Sequence, residues 1–150
     1  MSDKKRLAMT DDSKQFRFLA LVVWPEGRNL HQPVSRLVRR FPREGWFGLT
    51  SQRRCPARYA CVNIAEGGGR NPDRDSAQFA EISHGSAMEV ASDVFPAMDK
   101  GCVTEAEQQK ILVQVAAFVS KGSGLYRRLT GVLPQGALRS ALSVQPGPTP

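Results

Sequence analysis

Between residues 104 and 129, apolar side chains return every three or four positions. Ile111, Val115, Phe118, Gly122, Leu125 and Leu129 form one stripe, widened by Leu112, Val119 and Tyr126. That period puts them on one face of an α-helix, with the seam of a bundle. Thr104 followed by Glu107 fits a capping box, in which each side chain satisfies a backbone N–H at the helix start. A second run, Pro72 to Lys100, repeats the spacing through Phe79, Ile82, Ser86, Val90, Val94 and Ala97. Ser83, Ala87 and Met98 flank that stripe. Asn71 is the expected N-cap and Pro72 the expected first helical residue. Asp73 and Asp75 then lie at the positive end of the helix dipole. Gly101 stops the helix, and Pro96 is expected to kink its last turns.

Two earlier helices are predicted. Leu30, Val34, Leu37, Val38 and Phe41 stripe the first, which ends at Pro42, has Pro25 near its start and is bent at the interior Pro33. Ala57, Ala60, Cys61 and Ile64 give the second a narrow stripe of small residues. Pro56 either opens this helix or distorts its first turn; the favoured reading starts the helix near Ser51. Four helices with short connections predict an all-α, up-and-down antiparallel four-helix bundle over residues 17–130. Residues 1–16 are polar, and 131–150 are rich in Pro, Gly and Ser. Both segments are expected to be flexible.

Charge adds a direction. The chain carries a net +7, and residues 28–74 hold ten arginines against Glu44, Glu66 and Asp73, which is the whole excess. An arginine fork suits phosphate or carboxylate. Arg36, Arg39, Arg40 and Arg43 share a broad face at the end of the first helix. Arg53, Arg54 and Arg58 open the second, and Arg70 and Arg74 flank the next turn. These nine are the candidate nucleic-acid contacts, with RNA or DNA, or a nucleic-acid-associated protein, as the expected partner. Few aromatics interleave with them, so base stacking is not indicated. The competing reading has the arginines pair with carboxylates between subunits. Cys55, Cys61 and Cys102 are odd in number and form no C-x-x-C, and no apolar run reaches the roughly 20 residues of a membrane span. Free thiols in a reducing cytoplasm follow.

Little points to catalysis. "GGGR" at 67–70 lacks the spacing of a phosphate loop. Gly67 is expected to cap the second helix, with Gly68 and Gly69 reversing the chain. Arg70, Arg74 and the helix start at Pro72 could meet an anion there. Asn63, Glu66 and Arg70 lie three and four apart and are expected to form a structural polar cluster, with Gln52 and Tyr59 near the same line. A single carboxylate without a neighbouring His, Cys or second acid makes a poor acid–base site, so no catalytic residue is assigned. His31 and His84 have no partner at ligand spacing. No metal or cofactor is expected. Trp24 and Trp46 are expected as packing anchors.

Five segments carry a family resemblance: "VVWPEGRNLHQPVSRLVRRFP" (22–42), "GLTSQ" (48–52), "NIAEG" (63–67), "SAQFAEISHGSAMEV" (76–90) and "GCVTEAE" (101–107). In order and spacing the chain resembles the four-helix-bundle proteins encoded in intervening sequences of bacterial large-subunit ribosomal RNA genes. The match spans roughly residues 18–129. The resemblance implies an up-and-down bundle that assembles as a homopentamer. A more distant likeness, at the level of fold, connects it with the basic pentameric accessory proteins of diversity-generating retroelements, which bind a reverse transcriptase and nucleic acid. Pro25, Pro33, Pro56, Cys61 and Pro96 depart from the usual pattern.

Overall fold

The computed structural model describes residues 15–41 and 55–132. A 3-10 turn, Arg17–Ala20, leads into α1 (Val23–Val38), α2 (Pro56–Gly68), α3 (Asp73–Asp99) and α4 (Glu105–Thr130). Each helix packs on its neighbour in the chain, and α4 returns to α1. Two ion pairs show the directions. Lys121, late in α4, meets Glu26 in the first turn of α1. Arg40, just past α1, meets Glu107 in the first turn of α4. The helices therefore alternate up and down, and there is no strand among the described residues.

The core follows the predicted stripes of α1 and α4. Leu30, Val34, Ile111 and Phe118 are fully buried between them, with Val90 and Val94 of α3. Thr104 and Glu107 form the expected capping box: the Glu107 N–H donates to Thr104 Oγ1 and the Thr104 N–H to Glu107 Oε2. α3 ends in a Schellman motif. The Gly101 N–H donates to the Met98 carbonyl and the Cys102 N–H to that of Ala97. Gly101 has φ of 71°, where a side chain would clash with the backbone. α1 runs through Pro33 and α3 through Pro96, which sits in the last turn.

Several local expectations are corrected. α2 opens at Pro56, not near Ser51: Cys55 is extended (ψ 112°), which no helix continued from Ser51 would allow, and proline at the first position gives up an N–H that had no partner anyway. Asn71 is not the N-cap. Pro72 holds that place in an extended conformation (ψ 175°) after a cis peptide bond, and no side chain caps the helix. Gly67 and Gly68 do not end α2 but continue it, and Gly69 follows with ordinary right-handed angles.

The buried line in the first half of α3 is Ala77, Ala80, Ser83 and Ala87, while Ile82 is about half exposed. The physical reason is close approach. Ala57 and Ala60 of α2 bring the two backbones near enough for Ser83 Oγ, fully buried, to donate to the Ala60 carbonyl at 2.5 Å. Phe79 and Ile82 are too large for this seam and sit beside it. Two glycines also allow close approach, Gly67 to α3 and Gly68 to the 3-10 turn. A Cβ on Gly67 would come within 2.8 Å of the Phe79 Cβ, and one on Gly68 within 2.9 Å of the Phe18 Cβ. Phe18, in the 3-10 turn, also packs edge-on against Trp24, as the anchor role of Trp24 predicts. Residues 1–14, 42–54 and 133–150, with Trp46 and most of the expected flexible segments, lie outside the described residues.

Candidate nucleic-acid interface

The up-and-down course brings the end of α1 and the start of α2 to one pole of the bundle. Arg36, Arg39, Arg40 and Arg58 are exposed there. Arg36 and Arg40 are one helical turn apart. Arg40 is partly occupied, because its guanidinium donates to Glu107 Oε1 at 2.5 Å. Both side chains stay substantially exposed, so the pair adds little to stability. Glu107 itself is held below the ordinary carboxylate range, first by the Thr104 N–H and then by Arg40. Arg36, Arg39 and Arg58 have no carboxylate within ion-pair distance among the described residues.

Arg70 and Arg74 fall at the opposite pole. Twelve residues of α2 and its turn separate Arg58 from Arg70, about 18 Å at 1.5 Å per residue. The nine arginines grouped by sequence are therefore not one patch. Arg43, Arg53 and Arg54 lie outside the described residues. At the second pole Arg70 pairs with Glu66 at 2.7 Å, an i, i+4 contact on the surface, and lies 5.0 Å over the Phe79 ring. Asn63 takes no part in that pair. It turns inward, and its Nδ2 donates to the Tyr59 carbonyl at 2.8 Å. The expected cluster of Asn63, Glu66 and Arg70 thus divides into a buried amide and an exposed ion pair. Ser76 joins the two helices instead, donating to the Gly67 carbonyl at 2.8 Å.

Sequence reasoning passes over Arg17, Arg127 and Arg128, which stand exposed at this second pole. A signal for them exists: in an up-and-down bundle the end of α4 must return to the start of α1. Burial pushes the Cys61 thiol up, against a smaller pull from Arg28. Half-burial lowers His84, opposed by Glu81. Among the described residues, no three His, Cys, Asp or Glu side chains are grouped to hold a metal ion, and no helix is long and apolar enough to cross a membrane.

The model of the 23S rRNA-intervening sequence protein family matches residues 20–121. The chain belongs to this family. The match runs from the 3-10 turn through most of α4, so all four helices fall within the matched unit. It includes Arg36, Arg39, Arg40 and Arg58 and leaves out Arg17, Arg127 and Arg128. No curated protein matches the chain.

Proposed function

We propose that the protein is a non-enzymatic, cytoplasmic, self-assembling bundle that binds nucleic acid, or a protein associated with it, through the pole carrying Arg36, Arg39, Arg40 and Arg58. The observation that carries this reading is the exposure of Arg36, Arg39 and Arg58 at one end without a neighbouring carboxylate among the described residues. Such forks gain most from phosphate oxygens. Self-assembly is supported by large apolar side chains left in solvent: Tyr59 and Val62 on α2, and Ile82, Met88 and Phe95 on α3. The family resemblance implies five copies, which would repeat the basic pole around a ring. The non-enzymatic part of the reading is supported by the Cys61 thiol, which burial keeps protonated and so a poor nucleophile.

A second reading has its own observation. Asp93 Oδ2 is buried and accepts no hydrogen bond among the described residues, with Glu89 one turn away. A cation from another copy would satisfy it, and the arginines would then be inter-subunit partners. Labelled RNA and DNA separate the two readings in a mobility-shift titration at several salt concentrations. The triple variant Arg36→Glu/Arg39→Glu/Arg58→Glu is expected to abolish the shift and leave the oligomer mass unchanged. In single variants, each phosphate no longer neutralised should lower the salt slope by about 0.9 on duplex DNA. No shift by the wild-type protein at about 50 mM salt, where such contacts are strong, ends the binding reading. Dissociation of the oligomer by the triple variant establishes the structural one.

A further inference from the structure

The pole opposite the proposed nucleic-acid interface holds an open cleft of about 360 Å³. It lies between the 3-10 turn, the end of α2, the start of α3 and the end of α4. Ile64, Leu125 and Leu129 give it apolar walls, and Arg17 and Arg128 stand at its rim. Asn63 also lines it, although only 7% of that residue is exposed. With Nδ2 committed to the Tyr59 carbonyl, Asn63 Oδ1 accepts no hydrogen bond from any described residue. It is also not among the side-chain oxygens sealed from solvent without a partner. Asn63 Oδ1 is thus an unused acceptor on a residue that lines the cleft.

The charge at the rim is two guanidiniums against the Asp73 carboxylate. Neither Arg17 nor Arg128 has an ion-pair partner among the described residues. Helix dipoles do not decide the sign here, because α1 and α3 begin at this pole while α2 and α4 end at it. The preference rests on the arginines.

We propose that this cleft binds a small amphipathic organic anion. One phosphate or carboxylate would lie between Arg17 and Arg128. A flat apolar body would lie along Ile64, Leu125 and Leu129, and an N–H or O–H of that body would donate to Asn63 Oδ1. The volume is at the small end of ligand sites, which run from about 300 to 1,000 Å³, so it suits a molecule the size of a mononucleotide and not a folded partner.

Calorimetric titration of the full chain tests this with two probes that meet the same requirements. Adenosine 5′-monophosphate supplies the phosphate, and indole-3-acetate supplies the carboxylate. Saturable one-site binding of either is expected, and the tighter probe identifies the source class. Arg17→Glu/Arg128→Glu should weaken the binding at least tenfold. Asn63→Asp, which sets a negative charge near the bound anion, gives a second loss without touching the rim. Because it also removes the Nδ2 donor to the Tyr59 carbonyl, thermal unfolding is compared with wild type to show that the fold is kept. The triple variant at the other pole should bind as the wild type does, so this test can fail or succeed independently of the nucleic-acid reading. Three results overturn the proposal. The first is no saturable binding of either probe at about 10 mM, where even a millimolar ligand would be nine-tenths bound. The second is inorganic phosphate binding as tightly as the nucleotide. The third is binding that survives both cleft variants.

Discussion

The Asp93 carboxyl is the clearest single-residue liability in the bundle. Burial pushes its pKa above the ordinary carboxylate range, and the charge on Glu89 adds to the shift. A raised folded-state value means that the folded chain binds this proton more tightly than the unfolded chain does. Between the unfolded value, about 3.9, and the raised folded value, stability falls as pH rises. Above that window the full penalty applies. Asp93→Asn is therefore expected to raise the melting temperature near neutral pH, with the gain shrinking as pH falls through the acid range. Thermal unfolding at a series of pH values checks it; a gain that does not depend on pH would exclude the titration of Asp93 as its cause. No local pattern marks this residue in the chain, because its burial depends on what packs over α3. Asn63 is legible in part. Its spacing from Glu66 and Arg70 places all three near one line of α2, but which of them turns inward is set by the closeness of α3.

Helices are legible where size and hydrophobicity point the same way. Phe118, Ile111 and Val115 fill the centre of α4, and the Thr104–Glu107 box fixes its start. They are misread where close approach favours small side chains. A stripe chosen for apolar bulk selects Phe79 and Ile82, whereas the α2–α3 contact is built on Ala60, Gly67, Ala80 and Ser83. The same logic misplaces the glycines, whose value at 67 and 68 is a missing Cβ and not a turn. Gly67→Ala should cost about 1–3 kcal/mol from overpacking against the Phe79 Cβ and the Ser76 carbonyl. Helix propensity returns about 0.5–1 kcal/mol of that. At Gly85, also mid-helix, a Cβ would meet nothing within 4 Å. Gly85→Ala should therefore stabilise by about 0.5–1 kcal/mol. Urea unfolding of the two variants should show shifts of opposite sign. A gain at both sites would mean that the α2–α3 seam can open without cost.

At the scale of the whole molecule, the fold class is legible in the chain and the grouping of charge is not. Counting arginines along the chain merges Arg58 with Arg70, because they belong to one helix and its turn. Folding sends them to opposite poles. It also brings Arg128 back beside Arg17, more than a hundred positions away. The basic residues are thus divided between two ends with different surroundings: an exposed group at the α1–α2 pole, and a rimmed cleft at the other.

The Arg40–Glu107 contact makes the first pole self-competing. Glu107 Oε1 already fills the fork of Arg40 much as a phosphate oxygen would. A nucleic acid that engages Arg40 must displace an internal counter-anion as well as solution ions. Arg40 should then contribute less to affinity than Arg36 or Arg39. Glu107→Gln keeps the capping function, which glutamine also serves, and removes the competing charge. That variant should bind RNA and DNA more tightly than the wild type, with a salt slope steeper by up to about 0.9 on duplex DNA. Equal affinity and slope would show that Arg40 faces away from the bound strand. On the proposed nucleic-acid reading, the capping carboxylate of α4 would set a threshold on the basic pole, reserving Arg40 for ligands dense enough in phosphate to outcompete it.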